Sequence, residues 1–198
     1  MTRSWIATLA AAALLGATQP APDPPAGMKQ AIFAGGCFWS MEHVFDEIAG
    51  VQSVLVGYSG GTAKSPSYEQ VEFGITGHVE SVRVVYDPAK VTYAVLLDAY
   101  WHNVDPTDGA GQFCDVGPQY HPVIFYADEE QHQRADASKK ALEESHRFKR
   151  VMPRVAPAST FWVAEPLHQH YYKTHETAYQ RYRAGCGRDA RLRELWGR

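Results

Sequence analysis

Lys29-Gln30-Ala31-Ile32-Phe33-Ala34-Gly35-Gly36-Cys37-Phe38-Trp39-Ser40-Met41-Glu42 joins two hydrophobic patterns across a pair of glycines. Lys29 to Ala34 reads as a short buried strand. After the glycines, Phe38, Met41, Val44, Phe45 and Ile48 recur at i, i+3 and i+4 spacing, the pattern of an amphipathic helix. A strand that turns directly into a helix predicts a layered α/β or α+β fold. It also sets Cys37 at or near a helix N-terminus, where unpaired backbone N–H groups and the helix dipole favour an anion. A thiolate is an anion, so this position is expected to lower the Cys37 pKa and make the sulfur nucleophilic. The glycines allow a tight turn and close approach of a substrate. Buried cysteines are ordinarily inert, and position alone leaves that reading open.

Outward from this stretch, strands are expected at Ala31–Ala34, Val51–Tyr58, Ser81–Asp87, Val123–Tyr126 and Phe161–Ala164. Helices are expected between them, at Trp39–Ile48, Tyr68–Phe73, Thr92–Asn103, Asp128–Ser145 and Pro166–Tyr179. Thr92 suits an N-cap. Asp128-Glu129-Glu130 places acid at the start of a helix whose later turns carry Lys139 and Lys140, matching the dipole. The loops 59–67 and 105–119 are long and rich in Gly, Pro, Asp and Ser, the kind that carries function. Gly185-Cys186-Gly187 predicts a mobile C-terminal tail.

The first residues have a different composition. Met1-Thr2-Arg3 is basic, and Trp5 to Ala17 is apolar but short for a membrane span. Residues 1–21 are therefore expected to be a secretory signal peptide, cleaved after Ala17 or after Ala21. A Pro-rich linker over 22–27 and one domain over 28–198 follow. Export, to a periplasm, is the expected destination. The formal net charge is −3, which gives no reason to expect nucleic acid or an anionic membrane as a partner.

The three cysteines, Cys37, Cys114 and Cys186, are an odd number, which argues against a purely structural disulfide framework in an exported chain. It suits pairing that changes during a redox cycle. No C-x-x-C and no zinc-finger spacing occur. His168, His170 and His175 cluster around Tyr171 and Tyr172, but no two are i, i+4, so no metal site is expected.

Beyond Gly36-Cys37-Phe38-Trp39, the chain carries Gly57-Tyr58-Ser59-Gly60-Gly61, Pro66-Ser67-Tyr68, and Gly77-His78-Val79-Glu80-Ser81-Val82 followed by Tyr86-Asp87-Pro88. Later come Trp101 to Pro106, Gln112-Phe113-Cys114-Asp115-Val116-Gly117-Pro118-Gln119-Tyr120, and Gly185-Cys186-Gly187-Arg188. In this order, over about residues 28–198, they resemble the A-type peptide methionine sulfoxide reductases. Two positions depart from the family pattern: Ser40 stands where glycine is usual, and His121 where arginine is usual.

The resemblance implies a two-layer domain with a mixed sheet and a ferredoxin-like core. It implies reduction of methionine-S-sulfoxide, free and in proteins, with no metal and no bound organic cofactor. Cys37 resembles the family's nucleophile and Glu80 its acid. Such an acid needs a raised pKa to donate a proton at neutral pH, which burial would supply. Tyr68 and Tyr120 resemble the phenols that hydrogen-bond the sulfoxide oxygen. Phe38 and Trp39 resemble the apolar pocket for the substrate methyl, and Asp115 a carboxylate near the substrate or Cys37. Cys186 resembles the resolving cysteine, with Cys114 as the alternative. A thioredoxin-like dithiol would then reduce the disulfide. A thiol peroxidase and a metal- or haem-binding protein are the rival readings.

Overall fold

A computed structural model describes residues 18–197. The expected signal peptide therefore lies outside the described residues, except for its last four positions. Those four are part of the fold. Gln19–Pro20 (β1) pairs with a strand near the other end of the chain, and the Thr18 hydroxyl donates to the Pro66 carbonyl at 2.8 Å.

Strand Lys29–Ala34 (β2) leads through Gly35 and Gly36 into helix Phe38–Asp46 (α1). Next come Val51–Ser59 (β3), Tyr68–Glu72 (α2), Val79–Tyr86 (β4) and Tyr93–Trp101 (α3). A small hairpin, Gly111–Gln112 (β5) and Asp115–Val116 (β6), precedes Val123–Tyr126 (β7) and Glu129–Glu144 (α4). Arg154–Pro157 (β8), Trp162–Val163 (β9), Tyr171–Thr174 (α5), Glu176–Gly185 (α6) and Arg188–Trp196 (α7) complete the chain. Among the described residues no helix is long and apolar enough to cross a membrane.

The main sheet has seven strands in the order β1-β9-β3-β4-β2-β7-β8. Only β7 and β8 run parallel, so the sheet is mixed. Strand β4 is central and buried along its whole length, because both of its faces are covered. Period-2 alternation divides it. Val82 and Val84 join Phe33, Phe38, Met41, Phe45 and Leu96 in the main core beneath the helices. Ile32, Ala34, Val123 and Phe125 face the other way into a smaller cluster. The end of the expected signal peptide and the start of the linker help to cover that second face: Ala21 packs on the cluster, and buried Arg83 donates to the Pro22 carbonyl at 2.6 Å.

Caps begin the helices where the sequence predicts them. The Thr92 hydroxyl accepts from Val95 N–H, and the Asp128 carboxylate accepts from Gln131 N–H at 2.8 Å. Two expectations are corrected. The helix expected over Pro166–Tyr179 is broken. A 3-10 turn, extended Gln169 and left-handed His170 (φ 53°) precede α5, and α6 starts only at Glu176. The tail expected to be loose is helical, with α6 and α7 meeting at Cys186 and Gly187. Its anchors are side chains rather than glycines: Tyr179, Arg188 and Leu195 are all buried. Gly187, at φ 66°, supplies the left-handed residue that turns one helix into the next.

Candidate active site around Cys37

Cys37 is the N-cap residue of α1, and its carbonyl accepts from Ser40 and Met41 N–H. Gly36 makes this placement possible. Its φ is +81°, and a Cβ there would stand 2.6 Å from Gln112 Cβ, so both the conformation and the space require glycine. The thiol is buried and free.

Glu80 reaches the same point from β4. It pairs with Tyr58 of β3, and the two-residue period puts it on the Val82 and Val84 face, below the start of α1. Its Oε2 accepts the Phe38 N–H at 2.9 Å. Burial pushes the carboxyl up to about 8, against the opposing Phe38 N–H, and the nearby Asp115 charge adds to the rise. At neutral pH the buried carboxyl therefore holds a proton.

The expectation of a lowered Cys37 pKa is not met in this arrangement. Burial drives the thiol well above its usual range, and the Glu80 and Asp115 charges add to that. The Tyr182 hydroxyl and the Trp39 N–H, which is the helix-start effect, act in the opposite direction and are outweighed. Desolvation of a thiolate costs more than one helix N-terminus returns.

Tyr68, at the start of α2, and Tyr120, in the 3-10 turn after β6, are half-buried. Burial raises both phenols, and Glu80 is the leading charge acting on each, with Cys37 and Asp115 also contributing. Both therefore remain protonated donors. Tyr68 is held at its backbone, where its N–H donates to Glu165 at 2.9 Å.

The aromatic wall is larger than Phe38 and Trp39. The Trp39 ring stacks on Tyr171 with centroids 3.9 Å apart, and Tyr182 meets it edge-on at 6.1 Å. The buried His168 ring lies 5.4 Å from Phe38 and 4.4 Å from Tyr68. Of the histidines and tyrosines that cluster in the sequence, His168 and Tyr171 join this wall, whereas Tyr172 stacks on His43 with centroids 4.7 Å apart. His170 instead meets buried Glu42 of α1, through its N–H at 2.9 Å and its ring at 3.1 Å.

Asp115 accepts from the Tyr182 hydroxyl at 2.5 Å. Burial raises its carboxyl, opposed by Tyr182, the Arg188 charge and the Cys37 backbone N–H. Cys114 and Cys186 are joined in a disulfide with Cα atoms 4.9 Å apart. Cys186 follows Tyr182 by four residues, one turn along α6, and Cys114 directly precedes Asp115. Both therefore neighbour groups that touch Cys37. With Asp115 they bring ligand-type atoms within 4.8 Å of one another, and the disulfide engages both sulfurs.

Tyr182 and Arg188 are site residues that the sequence reading missed. Arg188 is 2% exposed. It donates to the Gly35 and Asn103 carbonyls at 3.2 and 2.7 Å, and its guanidinium lies 4.3 Å over the Phe113 ring. Tyr182 stands four residues before Cys186, a spacing that places both on one helix face, but only if the segment is helical. Of the two departures, Ser40 is buried in the first turn of α1 and His121 is half-buried after Tyr120.

Comparison with known proteins finds relatives along nearly the whole chain. The family model for peptide methionine sulfoxide reductase matches residues 29–198. Peptide methionine sulfoxide reductase MsrA 2 of Caulobacter vibrioides is 47% identical over 199 residues, covering 100% of both chains. MsrA of Halalkalibacterium halodurans is 46% identical, covering 86% of this chain and 98% of its own. Among solved structures, yeast Mxr1 in reduced form superposes with a TM-score of 0.73 at 27% identity, over 78% of this chain and 90% of its own. Methionine sulfoxide reductase A of Corynebacterium diphtheriae superposes at 0.69 and 29% identity, over 81% and 89%. Matched along its folded length in sequence and in structure, the chain belongs to the A-type peptide methionine sulfoxide reductases and is an enzyme of that family.

Proposed function

We propose that the enzyme reduces methionine-S-sulfoxide, free and in peptides and proteins, through a Cys37 sulfenic acid and an intramolecular disulfide, and so repairs oxidised proteins. The observation that carries this reading is the protonated, buried Glu80 carboxyl, fixed one residue from the free Cys37 thiol. A sulfoxide oxygen leaves sulfur only as it gains a proton, so nucleophile and acid must stand together.

Cys37 sulfur attacks the sulfoxide sulfur while Glu80 delivers its proton to the oxygen. Tyr68 and Tyr120 donate hydrogen bonds to that oxygen as negative charge develops on it. Phe38 and Trp39 form the apolar wall for the substrate methyl, and Asp115 orients the Cys37 N–H. The hydroxyl then passes from the substrate sulfur to Cys37 sulfur as the bond between the two sulfurs breaks, so methionine leaves as the thioether, Cys37 carries the oxygen as a sulfenic acid, and the thiol's own proton restores Glu80. Sulfoxide and thiol thus become thioether and sulfenic acid.

Cys186 is the resolver. Its thiol condenses with the sulfenic acid, releasing water and forming the Cys37–Cys186 bond. Cys114 then attacks Cys186 sulfur, Cys37 leaves as a thiolate, and the disulfide rests between Cys114 and Cys186. The disulfide between Cys114 and Cys186 supports a second exchange that frees Cys37, and exposed Cys114 supports its reduction by a thioredoxin-like dithiol. Yeast Mxr1 is known in a complex with Trx2. The β2-α1-β3-β4-α3-β7 succession, with strand order β7-β2-β4-β3, supports a ferredoxin-like core. The basic and apolar start of the sequence supports export to a periplasm, where an exported dithiol would be the donor.

The test is turnover of a racemic methionine sulfoxide peptide with dithiothreitol as reductant, followed by chiral separation. Loss of the S epimer alone is expected. Loss of the R epimer, or of neither, overturns the reading.

A further inference from the structure

Among the described residues, the large hydrophobic side chains most exposed to solvent are Phe73 (78%), Val116 (74%), Ile75 (73%) and Leu167 (61%), followed by Val95. Single exposed hydrophobics are normal and scattered. These are not scattered: all but Val95 lie on segments that carry the Cys37 site. Phe73 and Ile75 follow α2, which begins at Tyr68. Val116 follows Asp115 directly. Leu167 precedes His168, whose ring packs on Tyr68.

The segments also touch one another. Gln119 donates to the Glu72 carbonyl at 2.9 Å, and a Cβ on Gly74 would stand 3.1 Å from the Pro118 ring. On the other side, Glu165 holds the Tyr68 N–H. The segments that carry the four apolar residues therefore form one connected rim. Exposed Glu69 and Glu72 of α2 add acid to the same rim.

A peptide reductase takes in one side chain of a polypeptide whose backbone continues on both sides. The residues flanking the oxidised methionine must cross the rim. Methionine is mostly buried in folded proteins, so its neighbours, once locally unfolded, are often apolar too. Acidic neighbours would meet Glu69 and Glu72 and be repelled.

We propose that Phe73, Ile75, Val116 and Leu167 form an apolar collar that docks the residues flanking an oxidised methionine, so that segments with apolar, non-acidic flanks are the preferred substrates. This rests on the reading of Cys37 as the nucleophile. Collar contacts are made equally in the bound substrate and in the transition state, so they act on KM rather than on kcat.

The experiment compares free methionine sulfoxide, a peptide with Leu and Val flanks and a peptide with Asp flanks, for the parent and the Phe73→Ser/Ile75→Ser double variant. The parent favours the apolar-flanked peptide over the acidic one. The variant loses about five- to tenfold in kcat/KM on the apolar-flanked peptide, through KM, as expected for partial burial of two large side chains. Its turnover of free methionine sulfoxide stays at the parent level. Both positions are solvent-exposed, so the variant folds, and its Tm verifies that. An unchanged KM for the apolar-flanked peptide, or an equal loss on free methionine sulfoxide, overturns the collar. A parent inactive on all three substrates overturns the Cys37 reading, and the collar with it.

Discussion

Glu80 Oε2 accepts the backbone N–H of Phe38 at 2.9 Å, which ties a carboxyl from the centre of the sheet to the residue after Cys37. The bond crosses from β4 to the first turn of α1. It therefore holds the Glu80 carboxyl against the start of the helix that Cys37 caps. One hydrogen bond to a backbone N–H does not offset the loss of solvation, and the carboxyl stays neutral to about 8.

The proposed role of Glu80 as proton donor carries a pH signature. The donor is the protonated form, so activity is held below about pH 8 and falls as the pH rises through that value. Glu80→Gln keeps an acceptor for the Phe38 N–H but has no proton to give. We expect kcat to fall by roughly 10²- to 10⁴-fold with KM within a few-fold of the parent. Steady-state kinetics across the pH range checks this, and a Gln variant with near-parental kcat would assign the proton to another group.

Cys114 and Cys186 are joined and Cys37 is free, which in the proposed cycle is the state after one catalytic event. Without reductant, the parent should release about two equivalents of methionine, the second leaving Cys37 as sulfenic acid. Cys114→Ser and Cys186→Ser should each stop at about one equivalent. Cys37→Ser should release none. Methionine counted after a single addition of excess sulfoxide distinguishes these, and one equivalent from the parent would show that Cys37 stays in the final disulfide.

Glu42 sets a pH dependence of stability. It is fully buried on α1, and burial holds its carboxyl at about 7, compared with 4.5 ordinarily. The folded state then binds more protons than the unfolded one between those values. Its contribution is complete below 4.5 and is lost as the pH rises through about 7. Glu42→Gln keeps an acceptor for His170 N–H and does not titrate. Its Tm should fall less than the parent's between about pH 5 and about pH 8, measured by thermal melts. Identical slopes would place the titration elsewhere.

Gly36→Ala adds a methyl against Gln112 at a left-handed backbone position. We expect a loss of about 1–3 kcal/mol from the backbone alone. Each kcal/mol lowers Tm by roughly 2–4 °C for a domain of this size. Activity should fall further than stability, because the Cys37 turn moves with residue 36. A thermal melt beside a single-turnover assay separates the two effects.

The strand, turn and helix around Cys37 are legible because local periodicity determines them. Glu80 is legible from its motif, and the period of β4 explains why it faces α1. Asp128 and Thr92 announce their helices through capping, which is local chemistry. Strand β8 is missed, since Arg154–Pro157 has no alternation and pairs only through its parallel neighbour β7. The end of the chain is misread for a related reason. Gly185 and Gly187 argue for looseness locally, while Tyr179, Arg188 and Leu195 find burial against distant segments.

The order of hydrophobic and glycine residues determines by itself that a cysteine stands between a buried strand and a helix, and the motifs along the chain determine its family. Both are properties of neighbours in sequence. Tertiary structure alone decided that Cys37 is desolvated, that Tyr182 and Arg188 come from the far end of the chain to meet it, and that Cys114 and Cys186 stand side by side. Burial and the approach of charges depend on distances in space. The sheet order β3-β4-β2-β7 and the docking of α6 and α7 set those distances.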